Sequence, residues 1–184
     1  ELNLTEYFKH LSAVFQNEWI LSYTIAENVA MGKDWEKDRI WEALKLAKID
    51  SVVKALPNGI FTYLGKEIDQ NGVLLSGGEL QKLFWARALY RNPKLILLDE
   101  PTAALDALAE DQLYQAYHKM TEKKSAMFIS HRLASTRFCD TILMLENGKI
   151  VESGTHEELL AKKGSYAKLF EVQSRYYREG QENG

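Results

Sequence analysis

Along the chain, short continuous apolar runs alternate with longer stretches in which apolar residues recur at helical spacing. The runs within Leu11–Phe15, Lys94–Asp99 and Ser125–Ser130 are typical of strands that are buried in a sheet. Helical spacing of apolar residues predicts helices over Asp34–Leu56 and Glu79–Tyr90. Because strands alternate with helices, the pattern predicts an α/β fold with a mostly parallel sheet flanked by helices.

The second half of the chain carries two strong local signals. Asn147-Gly148 stands between two apolar segments and predicts a β-hairpin. Thr155, with Glu158 three residues later, is a capping box for a helix that ends near Gly164. Helical spacing also predicts helices over Leu108–Thr121, Leu133–Phe138 and Tyr166–Arg175.

Between the first two helices lies a stretch without a regular pattern. Pro57-Asn58-Gly59 has strong turn chemistry and ends the first helical region. Residues Phe61–Val73 show no clear period, and we expect them to form an ordered loop. The next helix begins directly behind Gly77 and Gly78.

Composition narrows the class of protein. The 184 residues are 46% apolar and 27% charged, which suits one ordinary globular domain with a real core. A net charge of −3 gives no basic footprint, so nucleic acid is not an expected partner. The single cysteine, Cys139, has no internal disulfide partner, which favours a reducing cytosolic setting. No apolar run approaches the roughly 18 residues that a membrane-spanning helix needs.

The two ends of the chain carry weaker signals. The start is polar and has no initiator methionine, so we expect the chain to be part of a longer protein. The last residues, 177–184, are polar and glycine-containing, and we expect a disordered tail there, after a domain over residues 1–176.

Polar side chains follow three of the predicted strands. Asp99 and Glu100 end the most apolar run, where Asp99 is suited to Mg²⁺ and Glu100 to polarising an attacking water. His131 follows the next strand and Gln16 the first, and ligands of open α/β sheets bind at such carboxyl ends. Taken singly, the Asp99-Glu100 pair is equally well explained as a solvated strand end, a lone histidine is more often structural, and Gln16 carries no signal. Together these residues indicate a phosphate-hydrolysing site.

The stretch Ser76-Gly77-Gly78-Glu79 forms a second candidate for phosphate binding. The serine can cap the helix, and the N–H groups of the next three residues would then face an anion at the positive end of the helix. A plain helix cap behind a flexible turn is the alternative interpretation. A G-x-x-x-x-G-K-[ST] phosphate loop is absent, since none of the three Gly-Lys pairs is followed by Ser or Thr.

The order of these pieces resembles one family. Gln16, "LLSGGELQKLFWARAL", "LILLDEPTAALD" and "ISHR" are similar to the nucleotide-binding domain of ATP-binding-cassette (ABC) transporters, over roughly Leu4 to Val172. The segments "NEWILSYTIAENVAMG" and "NGKIVESGTHEELLAKKGSYAKLFEVQ" resemble the exporter branch, in which this domain follows a transmembrane domain. The resemblance implies a P-loop-NTPase-like fold with a helical signature-loop subdomain over about residues 28–92.

The resemblance also implies a role for each matched residue, with ATP and Mg²⁺ as cofactors. Gln16 is similar to the glutamine that senses Mg²⁺ and the attacking water. Asp99 matches the Walker B aspartate near Mg²⁺, and Glu100 the catalytic base. His131 matches the switch histidine on the γ-phosphate, and Asp106 the aspartate at the dimer seam.

In such a family two domains sandwich ATP head to tail. Ser76, Gly77, Gly78 and Glu79 fall on the signature loop, which contacts the γ-phosphate held by the P-loop of the second domain. The P-loop of the family would lie upstream of Gln16 and is missing, so the resemblance implies an N-terminally truncated domain that is inactive alone. Ala103 stands where many exporters have Ser, which changes little, and the loop before the signature is longer than usual.

The resemblance further implies a membrane partner. The segment after Gln16 contains Trp19, Ile20, Leu21 and Tyr23, and in exporters this region receives a helix of the transmembrane domain. The domain would then work at the cytoplasmic face of the cell membrane. On composition alone, ordinary packing of this segment onto its own domain is the favoured interpretation.

Two other functions stay open at this point. A soluble ABC-type ATPase of DNA maintenance would place long coiled-coil arms between Gln16 and Ser76, but these are only 60 positions apart with no heptad run. A non-catalytic degenerate ABC module would be expected to lose Glu100 and His131, and both are present.

Overall fold

A computed structural model describes residues 3–15, 19–100, 117, 121 and 124–182. The chain divides into two compact units, Glu1–Ile129 and Ser130–Gly184, where the sequence indicated one domain over residues 1–176. The first unit contains the parallel sheet and the helices that precede or connect its first two strands. The second contains a hairpin and two α-helices. Asp106 and most of the predicted helix Leu108–Thr121 lie outside the described residues.

The first unit contains the three predicted strands and the predicted helix behind the glycines, together with helices that the sequence pattern did not predict. In chain order they are α1 (Leu4–Lys9), β1 (Leu11–Val14), α2 (Ile25–Ala30), α3 (Lys37–Leu46), α4 (Asp50–Ala55), a 3₁₀ helix (Gly59–Phe61), α5 (Gly77–Tyr90), β2 (Leu95–Asp99) and β3 (Ser125–Ile129). Those of the second unit are a 3₁₀ helix (Leu133–Phe138), β4 (Ile142–Glu146), β5 (Lys149–Gly154), α6 (His156–Lys162) and α7 (Ser165–Glu182).

Three parallel strands form the sheet of the first unit, in the order β1-β2-β3. Leu98 of β2 lies opposite Val14 of β1 and Phe128 of β3, so all three strands end at the same edge. Ile96 and Leu98 are completely buried in the central strand, as expected of a parallel sheet. The predicted α/β fold and all three of its strands are therefore confirmed.

The helix predicted over Asp34–Leu56 is two helices, and the break between α3 and α4 has a clear local cause. Lys48 adopts a left-handed backbone conformation, with φ of 57°. The N–H of Lys48 donates to the carbonyl of Lys45, and the N–H of Ile49 donates to that of Leu44. This is a Schellman ending, which turns the chain so that Ile49 enters the core with no exposed surface.

Helix α2 was missed by the sequence pattern, although its start carries a usable signal. Thr24 accepts from the N–H of Glu27 at 3.3 Å, and the carboxylate of Glu27 accepts from the N–H and the hydroxyl of Thr24 at 3.0 and 2.7 Å. These hydrogen bonds lower the pKa of Glu27, the side-chain bond most. A capping box therefore fixes where this six-residue helix begins.

The second unit confirms both local signals of the sequence. Asn147 and Gly148 have φ of 49° and 73°, so the hairpin turns with two left-handed residues. Thr155 and Glu158 form the expected capping box at the start of α6. Helix α7 continues to Glu182, beyond its predicted end at Arg175 and into the expected tail, because Arg, Gln and Glu favour helix there. The hydrophobic core of the second unit consists of Leu133, Ile142, Leu159 and Tyr166.

In the part of the chain that the structure describes, no helix is long and apolar enough to cross a bilayer. The only cysteine, Cys139, is half-buried, and this burial raises the pKa of its thiol to about 11. The thiol is therefore protonated at neutral pH and a poor nucleophile.

Candidate functional site

The loop of the first unit that contains the two glycines ends in a well-formed helix cap. Ser76 is the N-cap of α5, with its Oγ 3.4 Å from the N–H of Glu79. The Glu79 carboxylate accepts from the N–H and the hydroxyl of Ser76, both at 2.8 Å. The cap therefore holds the direction in which α5 leaves the loop.

Gly77 and Gly78 stand at the exposed first turn of α5, and the packing of the chain does not require glycine there. A Cβ built on either residue would meet no described atom within 4 Å. Neither N–H group donates to another part of the described chain. Two open donors at a helix N-terminus, next to free space, form a surface that suits an anion.

Glu79 behaves differently from the expectation drawn from the sequence. Its N–H is engaged with Ser76 Oγ and does not face outward beside those of the glycines. Hydrogen bonds from the Ser76 backbone and then from its hydroxyl lower the pKa of Glu79, so the carboxylate is charged at neutral pH. A phosphate at this loop would therefore bind through Gly77 and Gly78, close to a negative charge.

The end of β2 places two carboxylates at the edge of the sheet. Asp99 is the last residue of the strand and lies opposite Ile129. Glu100 follows in a left-handed backbone conformation, with φ of 45°, and its N–H donates to the carbonyl of Ile129 at 2.9 Å. A left-handed conformation at a non-glycine residue costs energy and is often found at functional sites. It turns the chain directly after Asp99, so the two residues do not continue the alternation of the strand.

His131 belongs to the second unit, where its backbone is firmly held. The amide of Gln173 donates to the carbonyl of His131 at 2.7 Å and accepts from the N–H of Leu133 at 2.9 Å. The imidazole is exposed. Helix α7 thus fixes the turn that follows β3 without covering its histidine.

Two predicted site residues, Gln16 and Asp106, lie outside the described residues, so their roles stay predictions. Among the residues that are described, no group of three or more His, Cys, Asp and Glu side chains has the arrangement of a metal site. Asp99 fits the way Mg²⁺ is commonly bound, because this ion is held by one or two carboxylates and completes its shell with water and phosphate oxygens.

After β1 in the chain, residues 19–24 form a segment that exposes several apolar side chains. Trp19 is 83% exposed, and Leu21 and Tyr23 are about two-fifths exposed. We call residues 19–24 the docking segment. Exposed apolar groups of this size often mark a contact with another protein.

A buried amide holds the docking segment in place. Asn28 of α2 has no exposed surface, and its Oδ1 accepts from the N–H of Leu21 at 2.9 Å. Its Nδ2 donates to the carbonyls of Leu21, Tyr23 and Thr24 at 2.9, 3.2 and 3.1 Å. One side chain thereby satisfies the backbone of an irregular segment that makes no sheet or helix of its own.

The loop predicted over Phe61–Val73 packs along the docking segment and is ordered, as expected. The N–H of Leu64 donates to the carbonyl of Tyr23 at 2.9 Å, and the hydroxyl of Ser22 donates to Glu67 at 3.1 Å. Ile68, next to this contact, is 60% exposed. This loop therefore brings the carboxylate of Glu67 to the docking segment.

Two glycines allow this loop to close on itself. Gly65 has φ of 79°, and its N–H donates to the carbonyl of Val73 at 2.9 Å. A Cβ at Gly72 would overlap the carbonyl oxygen of Gly65. The crossing of the two backbones is possible because residue 72 has no side chain.

Sequence reasoning did not recognise Asn28 or Arg87 as structural centres. Arg87 donates from Nε to the carbonyl of Asn28 at 2.9 Å and from Nη2 to that of Trp19 at 3.2 Å. The available signal was a cation at helical spacing with Leu83 and Phe84, on a side of α5 expected to be apolar. Asn28 gives no sequence signal, because its partners are main-chain groups.

Comparison with known proteins places these features in context. Residues 2–103 match the family model described as "ABC transporter". The chain is similar to ABC transporter B family member 13 of Arabidopsis thaliana, with 41% identity over 99% of this chain and 14% of that protein. It is also similar to an ATP-dependent lipid A-core flippase of Polaromonas, with 39% identity over 92% of this chain and 28% of that protein.

A solved structure agrees with the fold. A bacterial Atm1-family ABC exporter with ATP bound is 34% identical and superposes with a TM-score of 0.79, over 92% of this chain and 29% of that chain. The chain thus spans less than a third of the length of each of these relatives.

The crossing at Gly72 leads to a direct test by substitution with alanine. We expect Gly72→Ala to lower the free energy of unfolding by about 1–3 kcal/mol, since the new Cβ must push two backbones apart. Urea denaturation of the 184-residue chain measures this change. Gly32→Ala is the matched control, because a Cβ at Gly32 meets nothing within 4 Å, and its effect should stay within about 0.5 kcal/mol. Equal effects of the two substitutions would contradict the close crossing.

Proposed function

Because the chain belongs to the ABC transporter family, we propose that it is the ATP-hydrolysing domain of an exporter. In this proposal ATP is bound and hydrolysed between two such domains in head-to-tail contact, and the reaction drives export of a substrate across a membrane. Family membership and the exporter relatives support the assignment. In this proposal the substrate is recognised by transmembrane segments of the complete transporter, and no described helix of this chain is long and apolar enough to be one of them.

The observation that carries the proposal is the state of the signature loop. Gly77 and Gly78 present open N–H groups to free space, while the chain contains no G-x-x-x-x-G-K-[ST] loop of its own. A phosphate cradle without a P-loop beside it is only half of a nucleotide site. A second domain that holds ATP in its P-loop would complete it.

The residues that the sequence singles out supply the hydrolytic groups in this proposal. Glu100 acts as the general base, taking a proton from the water that attacks the γ-phosphate. His131 contacts the γ-phosphate, and Gln16 orients the water and senses the metal. Asp99 would hold Mg²⁺, which when bound neutralises charge on the phosphate oxygens. Asp106 would lie at the seam between the two domains.

Ser76 must change partners when the second domain arrives. Its hydroxyl hydrogen is donated to Glu79 in the isolated chain, at 2.8 Å. To donate to a γ-phosphate, the hydroxyl has to rotate away, and the N–H groups of Gly77 and Gly78 then share the anion with it. The charged Glu79 carboxylate opposes an anion at this loop, so binding depends on the strong positive field of the opposite site.

The docking segment is the proposed contact with the transmembrane domain. Trp19 and Tyr23 are exposed, although the backbone carbonyl of Tyr23 is bonded by Asn28 and that of Trp19 by Arg87. A rigid segment with exposed aromatic groups suits a contact that must transmit force. With this contact the domain would work at the cytoplasmic face of the membrane.

The half-site interpretation is tested by ATP binding to the 184-residue chain. We expect calorimetry to give a Kd above about 1 mM, and no ATP turnover above background, because P-loop contacts to the β- and γ-phosphates are missing. The matched control is a longer form of the protein that includes a P-loop. Micromolar binding by the 184-residue chain alone would contradict the interpretation.

The membrane contact is tested in the complete transporter by replacing Trp19 and Tyr23 with Ser. We expect transport per ATP hydrolysed to fall by roughly tenfold, because two anchoring aromatic groups leave the contact. Transport and ATPase rates are measured together in liposomes. Leu46→Ser is the control, since Leu46 on α3 is 46% exposed, close to the 44% of Tyr23. Unchanged coupling in the double variant would show that the docking segment has another role.

A further inference from the structure

Arg87 joins the docking segment to the helix that starts at the signature loop. The side chain leaves the last turns of α5 and reaches two backbone carbonyls far away in sequence, those of Asn28 and Trp19. Its guanidinium carbon also lies 5.1 Å from the centre of the Phe84 ring, which steadies the planar group. A single residue of α5 therefore holds both α2 and the docking segment.

The two acceptors explain why an arginine is needed. The carbonyl of Asn28 lies near the end of α2, and the N–H of Gly32, which could have bonded it, donates to Glu27 instead. A cation is favourable at such a helix end. The planar fork of arginine bonds this carbonyl and that of Trp19 at once, whereas a lysine offers a single compact head group.

The arginine also approaches the buried amide itself, with Nη2 3.5 Å from Oδ1 of Asn28. That amide also bonds the backbone of Leu21, Tyr23 and Thr24, so Asn28 connects these three residues to the group that Arg87 approaches. The docking segment, α2 and α5 are consequently tied together through one network of hydrogen bonds.

We propose that Arg87 is a positioning residue that carries movement of the docking segment to the signature loop. This inference rests on the proposed function and adds a physical route to it. Ser76 lies eleven positions before Arg87, which is about 16 Å along a rigid helix. A displacement of Trp19 shifts Arg87, and α5 moves as a rod, so the N–H groups of Gly77 and Gly78 change their position at the other end.

The test compares two conservative substitutions in the complete transporter. Arg87→Lys keeps the charge but loses the two-carbonyl fork. Arg39→Lys is the matched control, because Arg39 donates to the carbonyl of Tyr90 at 3.0 Å and lies over that ring, next to the same helix, without a described bond to the docking segment. We expect Arg87→Lys to lower transport per ATP hydrolysed by roughly threefold or more relative to Arg39→Lys.

The possible outcomes distinguish a failure of this inference from a failure of the proposed function. Coupling in Arg87→Lys equal to that in the control, with a coupled wild type, would overturn the positioning role alone. A wild-type transporter that does not hydrolyse ATP would overturn the proposed function.

A second measurement needs no substitution and stays informative if Arg87→Lys does not fold. Hydrogen exchange is followed by mass spectrometry in the wild-type transporter, with and without trapping by ADP and vanadate. We expect peptides that contain residues 19–24 and 76–80 to become protected together, because Arg87 links the two. Protection of residues 76–80 with unchanged exchange at residues 19–24 would overturn the inference.

Discussion

The first unit depends on one buried side-chain amide. Asn28 has no contact with water, and it satisfies three carbonyls and one N–H of a segment that has no regular structure. An unpaired polar group in such a place costs about 1–3 kcal/mol, so the segment has one favourable conformation. That conformation in turn presents Trp19 and Tyr23 to the outside and leaves the Trp19 carbonyl within reach of Arg87.

The docking segment that Asn28 holds is connected to the glycine loop at the start of α5. The loop over residues 62–73 packs on the docking segment and leads to Ser76, whose capping box sets the start of α5. Near its other end, the same helix bonds the docking segment through Arg87 and the Trp19 carbonyl. The signature loop is therefore held at one end by its cap and at the other by an arginine on buried carbonyls. Its two open N–H groups owe their position to both.

Sequence patterns were sufficient where local rules decide the structure. The apolar run ending at Asp99 became the central strand, and Asn147-Gly148 became the turn of the hairpin, because each signal is contained in a few adjacent residues. The break at Lys48 was not predicted, since its left-handed conformation is stabilised by the burial of Ile49. The same limit applies to Asn28, whose partners are backbone groups and carry no side-chain identity.

In the candidate site, too, local features could be predicted from the sequence, whereas others required the structure. Ser76, Gly77 and Gly78 were recognised from sequence because a helix cap is local, whereas the inward N–H of Glu79 required the actual geometry of that cap. Glu100 was recognised as a candidate base, but its left-handed backbone follows from the turn after β2 and from the bond to Ile129. The sequence thus predicted the candidate groups, and the hydrogen bonds of the helix cap and of the turn after β2 determine how Glu79 and Glu100 are held.

The central claim is that Asn28 holds the docking segment in its conformation, and hydrogen exchange at the Leu21 amide tests it most directly. In Asn28→Asp the side chain keeps its size and its acceptor but loses the donor to three carbonyls. We expect the free energy of opening at Leu21 to fall by about 1–3 kcal/mol, while that of Leu98 in the central strand stays within about 0.5 kcal/mol of the wild type. An unchanged opening free energy at Leu21 would contradict the account.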